Sequence, residues 1–258
     1  MSALRTVRVT RYVTPLREGG SLPAIVEADD DGLYVVKFRG AGHGVKALIA
    51  ELVSGEIARA LGLPVPELVF IELDVDLART EPDPEIFALL RDSAGLNVAL
   101  DYLPGSVTLD PAVERPAAEL ASRIVWFDAY VTNVDRTVRN TNMLIWHRQL
   151  WLIDHGSTLY FHHADDWMSA HERARDPFAL IRDHVLLPWA TELDRADEAM
   201  TARLTADVVH RAVALIPDEW LDGAGDGGPE AQRAAYRDYL TDRLHASRVF
   251  VEEASRAR

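Results

Sequence analysis

Cysteine is absent from this sequence of 258 residues, which excludes disulfide bonds, thiolate metal centres and a cysteine nucleophile. Long apolar runs are absent as well, because no stretch of about 18 apolar residues marks a membrane-spanning helix. The first residues also lack the order of charged, apolar and small residues that marks a secretion signal. We therefore expect a soluble, cytoplasmic protein that does not bind a membrane.

Positive charge is scarce. The 27 Lys and Arg residues are outnumbered by 41 Asp and Glu residues, which gives a formal net charge of −14 and a pI near 5.0. A surface of this sign repels phosphate backbones, so nucleic acid is not an expected direct partner. The hydrophobic fraction of 48% is sufficient for one large domain or two lobes.

The pattern of apolar residues changes along the chain. Its first hundred residues are typical of strands, interrupted by a helix over 45–62 and a shorter one over 83–95. Further helices are predicted at 116–133, 176–193, 196–216 and 229–258. The predicted fold class is therefore α+β, with a small, antiparallel, strand-rich N-lobe (1–103) and a larger, mostly helical C-lobe (104–258).

The segment "NMLIWHRQLWLID" is typical of a tight hairpin of two apolar strands. A hairpin brings its ends together, so Asn140 and Asn142 should face Asp154 at its open end. Amide and carboxylate oxygens are hard ligands that suit magnesium, which takes few protein ligands and completes its shell with water and phosphate. Asp135 lies on the preceding loop, where it is placed to accept a proton from a substrate.

This order of residues matches the logic of phosphoryl-transfer enzymes of the protein-kinase type. Such enzymes use an Asp that orients the nucleophile, an Asn a few residues later, a hairpin, and a second Asp before a Gly. A structural interpretation stays open at this point, since Asp135 could pair with Arg136 or Arg139 and Asp154 could pair with a histidine.

The strand "LYVVKF" favours the kinase interpretation. Lys37 lies among apolar residues, where a cation is costly without a counter-ion. A kinase site supplies the phosphates of ATP and a Glu from the next helix as counter-ions. Glu51 and Glu56 are both candidates for that Glu. The alternative is a lysine on the solvated face of an edge strand.

Two further segments fit a nucleotide site. Gly19 and Gly20 lie in a turn between two predicted strands, where backbone N–H groups could bind phosphates. Residues 100–106 form an extended connector between the predicted lobes, and we assign Asp101 and Leu103 to the adenine-binding edge. Taken alone, the glycine turn is equally an ordinary hairpin turn.

With these residues in place, the chain resembles the HipA-like kinases, which have a protein-kinase-like, phosphoinositide-kinase-like fold. The resemblance rests on the segments "REGGSLP", "LYVVKFRGAGHG", "AELVSGEIARALGLPVPE", "FDAYVTNVDRTVRNTNMLIWH" and "LWLIDHGSTLYFHH". It implies an enzyme that transfers the γ-phosphate of ATP to a hydroxyl, with a protein Ser or Thr as the favoured acceptor.

The resemblance also implies a role for each matching residue. Asp135 would be the catalytic base, Asn140 and Asp154 the magnesium ligands, and Lys37 the phosphate-contacting lysine with Glu51 as its ion-pair partner. Related kinases phosphorylate a serine in their own phosphate loop, and Ser21 is the candidate here. The chain departs from the family in having Thr137 where a His often stands two residues after the Asp. A toxin role is not carried over.

Three other interpretations were compared with the kinase. Gly40, Gly42 and Gly44 between a strand and a helix suggest a dinucleotide-binding domain, but their spacing does not match that fingerprint. A zinc site could use the histidines of the chain, although no H-E-x-x-H motif is present. Four histidines were considered for it: His155, His162, His163 and His171. The third is a pseudokinase that binds nucleotide or a partner without transfer.

Overall fold

The first half of the chain folds into a closed five-stranded barrel. This computed structural model describes residues 4–16, 22–169, 171–221 and 227–258, without the side chains of Thr80 and His171. The strand order around the barrel is β1-β2-β3-β5-β4. The strands run over Thr6–Pro15 (β1), Ala24–Ala28 (β2), Leu33–Lys37 (β3), Leu68–Leu73 (β4) and Gly95–Asp101 (β5).

Barrel closure corrects the antiparallel lobe predicted from the sequence. Four of the strand contacts are antiparallel, but β1 closes the barrel by pairing in parallel with β4, with Val7 opposite Ile71. The interior holds a hydrophobic cluster that includes Val36, Val69 and Ala99. A dinucleotide-binding unit is not formed, because β3 pairs with antiparallel neighbours on both sides instead of crossing over to a parallel strand.

The main helix of the first half, α1, spans Val45–Ala60, close to its predicted bounds. Every residue from Leu48 to Ala58 is buried, including the charged Glu51 and Glu56. The apolar residues of α1 belong to the same hydrophobic cluster as those of the C-terminal half. This helix therefore packs against both parts of the chain and can carry side chains into the space between them.

The second half is mostly helical, with one small sheet. A short strand β6 (Val107–Thr108) pairs with the hairpin formed by β7 (Met143–Trp146) and β8 (Gln149–Leu152). The hairpin turn consists of His147 and Arg148, which both have positive φ angles of 48° and 63°, as a two-residue type I′ turn requires. The hairpin was predicted correctly from the sequence.

Three predicted helices differ from the structure. Residues 176–193 form single 3-10 turns at Ala179–Asp183 and Leu187–Trp189 instead of a helix, since Pro188 removes a backbone donor and disfavours the helical conformation before it. The helix predicted at 196–216 is divided in two, as is the one at 229–258. The first half also contains the shorter helix α2 (Pro84–Asp92). The helices of the second half are α3 (Ala118–Tyr130), α4 (Leu193–Arg203), α5 (Ala206–Val213), α6 (Pro229–His245) and α7 (Ser247–Ala257).

The described helices are all too short or too polar to cross a lipid bilayer.

Candidate active site

An ion pair joins the barrel to the hairpin. Lys37 ends β3, and its Nζ lies 2.8 Å from Oδ1 of Asp154, which follows β8. Only 13% of the lysine side chain is exposed. Burial alone would lower the pKa of Lys37, but the negative charges of Asp154 and Glu51 outweigh it and raise that pKa. Lys37 is therefore a buried ammonium held by carboxylates from both halves of the chain.

The pKa of the Asp154 carboxyl group is lowered, whereas that of Lys37 is raised. Burial would raise the pKa of Asp154, but the adjacent Lys37 charge and that of His155 lower it. Asp154 has a positive φ of 57°, as does Asn142 at the other end of the hairpin with 47°. Left-handed backbone at non-glycine residues costs energy and is frequent at functional sites. Both residues that flank the open end of the hairpin thus have this strained conformation.

Asp135 lies on the loop after α3 and is held by two amides. Its Oδ2 accepts hydrogen bonds from Nδ2 of Asn140 at 2.8 Å and from Nδ2 of Asn142 at 3.2 Å. Its backbone N–H donates to Oδ1 of Asn133 at 3.1 Å. The charge of Asp135 also contributes to the raised pKa of Lys37. The structure therefore brings Asp135, Asn140, Lys37 and Asp154 into one site.

Glu51 is fully buried in α1 and contacts the residue after Asp154. Its Oε2 accepts the backbone N–H of His155 at 2.9 Å, and its Oε1 lies 3.4 Å from Nδ1 of the same residue. The direct ion-pair partner of Lys37 is Asp154, whereas Glu51 hydrogen-bonds to His155 and acts on Lys37 through its negative charge. The other candidate, Glu56, pairs with Arg59 instead.

Further contacts connect α1 to the segment that follows Asp154. The hydroxyl groups of Ser54 and Thr158 lie 2.6 Å apart in the interior. Nearer the start of the helix, Nζ of Lys46 donates to the backbone oxygen of His162 at 2.6 Å. Helix α1 therefore fixes the position of residues 155–162 through side chains spaced along one of its faces.

The donor set at the open end of the hairpin has the hard oxygen atoms that a divalent cation requires. Asn140 uses its amide nitrogen for Asp135, which leaves its oxygen as an acceptor, and only Oδ1 of Asp154 is paired with Lys37. One amide and one carboxylate are the few protein ligands that magnesium usually takes. Within the described part of the chain, no three His, Cys, Asp or Glu side chains form a metal-binding group, which argues against the zinc alternative.

The histidines considered for zinc have other contacts. In His162, Nδ1 lies 2.9 Å from the Tyr236 hydroxyl and Nε2 lies 3.2 Å from Nε2 of His163. Burial and the neighbouring charge of His163 lower the pKa of His162 well below its usual value. These side chains form part of the packing between α1 and α6. The side chain of His171 lies outside the described residues.

The connector after β5 contains the predicted adenine-binding edge. Asp101 is the last residue of β5, and its backbone N–H donates to Glu67 O at 2.9 Å. Leu103 is buried, and its carbonyl accepts the backbone N–H of Ser106 at 3.2 Å in a turn that contains Gly105 with φ 74°. The remaining predicted residues, Gly19, Gly20 and Ser21, lie outside the described part of the chain.

A buried network beneath the loop that carries Asp135 was not predicted from the sequence. It consists of Asp128, Arg136 and His184. The sequence suggested Arg136 only as a partner of Asp135, whereas Asp128 stands among apolar residues of α3 and His184 comes from a distant segment. Lys46 had a visible signal: of the 27 basic residues only Lys37 and Lys46 are lysines, and Lys46 donates to the segment that follows Asp154. Where almost every cation is an arginine, a retained lysine indicates a need for its compact ammonium group.

Comparison with solved structures finds kinases. The chain matches a Helicobacter pylori proinflammatory kinase, CtkA, with a TM-score of 0.52 and 12% identity over 98% of this chain and 97% of that one. It also matches the Golgi casein kinase with Mn and ADP bound, with a TM-score of 0.50 and 11% identity over 98% and 74% of the two chains. A second structure of the Golgi casein kinase gives a TM-score of 0.50 and 13% identity over 100% and 76%.

At these identities the structural matches establish a protein-kinase-like fold and nothing finer. No curated protein matches the chain. The family model described as HipA-like kinase matches residues 9–242, which include the barrel, the Asp135 loop, the hairpin and most of the C-terminal helices. Because that match covers most of the sequence, and because the solved structures that match are kinases, this chain belongs to the HipA-like kinase family.

Proposed function

We propose that this kinase transfers the γ-phosphate of ATP to a hydroxyl group, with a protein serine or threonine as acceptor. The observation that carries the proposal is the convergence of Lys37 and Asp154, 2.8 Å apart, with Asp135 in the same site. A buried lysine beside a carboxylate from another part of the chain is the arrangement that binds and neutralises nucleotide phosphates. We also propose that the chain divides into two lobes at residue 103.

Each residue has a separate task in this mechanism. Lys37 contacts the phosphates, and Glu51 maintains the negative field that keeps Lys37 charged. The backbone around Asp101 and Leu103 binds adenine; the N–H of Leu103 has no acceptor among the described residues. Gly19, Gly20 and Ser21, which lie outside the described residues, would by this proposal supply backbone N–H groups to the phosphates.

Asn140 and Asp154 would hold a magnesium ion. When bound, magnesium neutralises charge on the phosphate oxygens during transfer. Asp154 is suited to this task because its lowered pKa keeps it ionised, which a metal ligand requires. The Golgi casein kinase structure with Mn and ADP shows a divalent ion with nucleotide in a related fold, and we extend that observation to this chain.

Asp135 would orient the acceptor. Its Oδ2 is fixed by two amides, which leaves Oδ1 for the acceptor hydroxyl. In the transfer step the bond between the acceptor oxygen and the γ-phosphorus forms while the bond from that phosphorus to the leaving ADP oxygen breaks. The hydroxyl proton passes to Asp135. Positioning and charge neutralisation account for catalysis, and no covalent enzyme intermediate is needed.

A radiolabelled-ATP transfer assay against cell lysate tests the function and the acceptor class together. We expect label on protein Ser or Thr with the wild-type chain, and none with Asp135→Ala or Asp154→Ala, although both variants should fold. A wild-type chain that binds Mg-ATP but transfers no phosphate to protein, lipid or small molecules would identify a pseudokinase. Substantial transfer by either variant would refute the assigned roles.

Autophosphorylation at Ser21 is the regulatory part of the proposal. A phosphate on this serine would place negative charge beside the nucleotide phosphates and so weaken ATP binding. Incubation with Mg-ATP followed by mass spectrometry should detect phosphate on Ser21 in the wild type but not in Asp135→Ala. An unmodified Ser21 in a preparation that transfers phosphate to other acceptors would remove this part of the proposal.

A further inference from the structure

The loop that carries Asp135 rests on a buried carboxylate of α3. Asp128 is completely buried, and both of its oxygens are used. Its Oδ1 accepts a hydrogen bond from Nδ2 of Asn133 at 2.8 Å. Its Oδ2 accepts from Nε of Arg136 at 2.6 Å and from Nε2 of His184 at 2.8 Å. One carboxylate therefore binds residues on both sides of Asp135 and a third residue from a different part of the chain.

Arg136 extends this network to the hairpin. It is 1% exposed, and its Nη1 donates to the backbone oxygen of Asn142. Asn142 is the residue whose side chain donates to Asp135. The guanidinium thus contacts α3 and the open end of the hairpin, with Asp135 adjacent to it in sequence.

His184 fixes the same loop from the opposite side. Its Nδ1 accepts the backbone N–H of Leu186 at 3.0 Å, so its Nε2 carries the proton that is donated to Asp128. Its backbone forms an antiparallel bridge with Thr137, and the N–H of Val185 donates to the carbonyl of Arg136 at 3.1 Å. Side-chain and backbone contacts from residues 184–185 therefore hold the loop at the two residues after Asp135.

We infer that Asp128, Arg136 and His184 are positioning residues, which set the Asp135 carboxylate relative to Asn142 and Asp154. The inference rests on the proposed phosphoryl transfer. It also accounts for Thr137: the imidazole that anchors this loop comes from His184, which lies opposite Thr137 in the bridge, and not from position 137 itself. Two fixed charges of opposite sign, joined by directional hydrogen bonds in the interior, favour this arrangement of the loop.

The test separates positioning from general stability by comparing two buried hydrogen bonds that α3 makes with other segments. His184→Leu removes the donor to Asp128 while leaving the Asp128–Arg136 pair, and His184→Gln keeps a donor near the Nε2 position. The control is Asp197→Asn on α4, which removes the charge from another buried acceptor of α3: Oδ1 of Asp197 accepts from Nε1 of Trp126 at 2.7 Å, and its carboxylate also pairs with Arg248. Asp128→Asn is the stronger variant, used if it folds.

We expect His184→Leu to lower kcat by about 10- to 100-fold with the KM for ATP changed by less than about twofold, since misplacement of a reacting group by about 1 Å has effects of this size. His184→Gln should restore most of the lost kcat. Asp197→Asn should lower the melting temperature without changing kcat. Equal kcat for His184→Leu and Asp197→Asn, per folded molecule, would overturn the inference.

Hydrogen–deuterium exchange of the full chain gives a second readout that does not depend on activity. His184→Leu should speed exchange of the amides in residues 133–142 more than Asp197→Asn does. If the wild type transfers no phosphate, the proposed function fails, while exchange still decides whether these residues hold the loop. Unchanged exchange in 133–142 would overturn the positioning role in either case.

Discussion

Lys37 is the residue on which the electrostatics of the site depend most. Arginine would keep its positive charge, and the chain uses arginine for 25 of its 27 basic residues. However, Lys37 is nearly buried beside Asp154, and a planar guanidinium needs more space and different donor directions than an ammonium group. The identity of the cation, and not only its charge, should therefore matter at this position.

We predict that Lys37→Arg lowers kcat/KM for ATP by about 10-fold or more, because a guanidinium fits the buried position poorly. A tenfold loss corresponds to about 1.4 kcal/mol of transition-state binding. The measurement is steady-state transfer with varied ATP. Arg11→Lys is the matched control: it makes the opposite substitution on β1, at an exposed ion pair with Glu27 of β2, and should leave the kinetics unchanged. Equal activity of Lys37→Arg and the wild type would show that charge alone is sufficient.

Asp128 supports a pH-dependence prediction for stability. Burial raises its pKa, but Arg136 and His184 outweigh burial and lower the pKa from 3.8 to about 2. A carboxyl group with a lowered pKa in the folded state stabilises the protein above its unfolded pKa, and this contribution is lost as the pH falls through the folded value. The stabilisation should therefore be complete near neutral pH and decline from about pH 5 towards pH 2.

The pH-dependent contribution of Asp128 to the free energy of unfolding should be roughly 2 kcal/mol, given 1.36 kcal/mol per pKa unit. Urea denaturation of the wild type and Asp128→Asn at several pH values between 7 and 3 measures it. The difference in free energy of unfolding between the two proteins should shrink as the pH falls. A constant difference over this range would mean that Asp128 is not a paired carboxylate in the folded protein.

Helix α1 is the element that determines the shape of the site. It approaches the barrel closely at Gly55, where an added Cβ would lie 3.1 Å from two methyl carbons of Leu68 on β4. A larger residue would have to push α1 away from the barrel. Because α1 also carries Glu51 and Lys46, such a shift would move the contacts that fix residues 155–162.

We predict that Gly55→Val destabilises the protein by about 1–3 kcal/mol, the usual cost of overpacking a core. Ala60→Val is the control, since Ala60 lies on the same helix and is exposed; its cost should stay below about 1 kcal/mol, the range of helix propensities. Denaturant midpoints of both variants make the comparison. A cost for Gly55→Val no larger than that of Ala60→Val would show that the helix and barrel are not in close contact there.

Local signals explain which elements could be predicted. The bounds of α1 and the β7–β8 hairpin follow from periodicity and turn residues, which act over short stretches of chain. The segment 176–193 was wrongly predicted as a helix because its apolar residues pack in 3-10 turns against distant helices. The contact of Glu51 with His155 likewise depends on residues more than a hundred positions apart. Tertiary packing determines both the 3-10 turns and the contact of Glu51 with His155, and no local sequence pattern indicates it.

At the scale of the whole molecule, closure of the barrel and the shared core determine where the site lies. The parallel pairing of β1 with β4 joins distant segments, so the sequence pattern alone did not indicate it. The larger hydrophobic cluster runs from α1 through α3 to α7, which ties the Asp135 loop and the barrel to one core. The ion pair between Lys37 and Asp154 is formed across these two parts.

The dependence of ATP binding on magnesium tests the central claim most directly. Titration calorimetry would measure the Kd of ATP with and without magnesium for the wild type and for Asp154→Ala. Magnesium should tighten ATP binding to the wild type by about tenfold or more, as expected for an ion held between a carboxylate and phosphates. The same ion should have no such effect on Asp154→Ala, whose Lys37 still binds the phosphates. An equal gain from magnesium in both proteins would contradict the account.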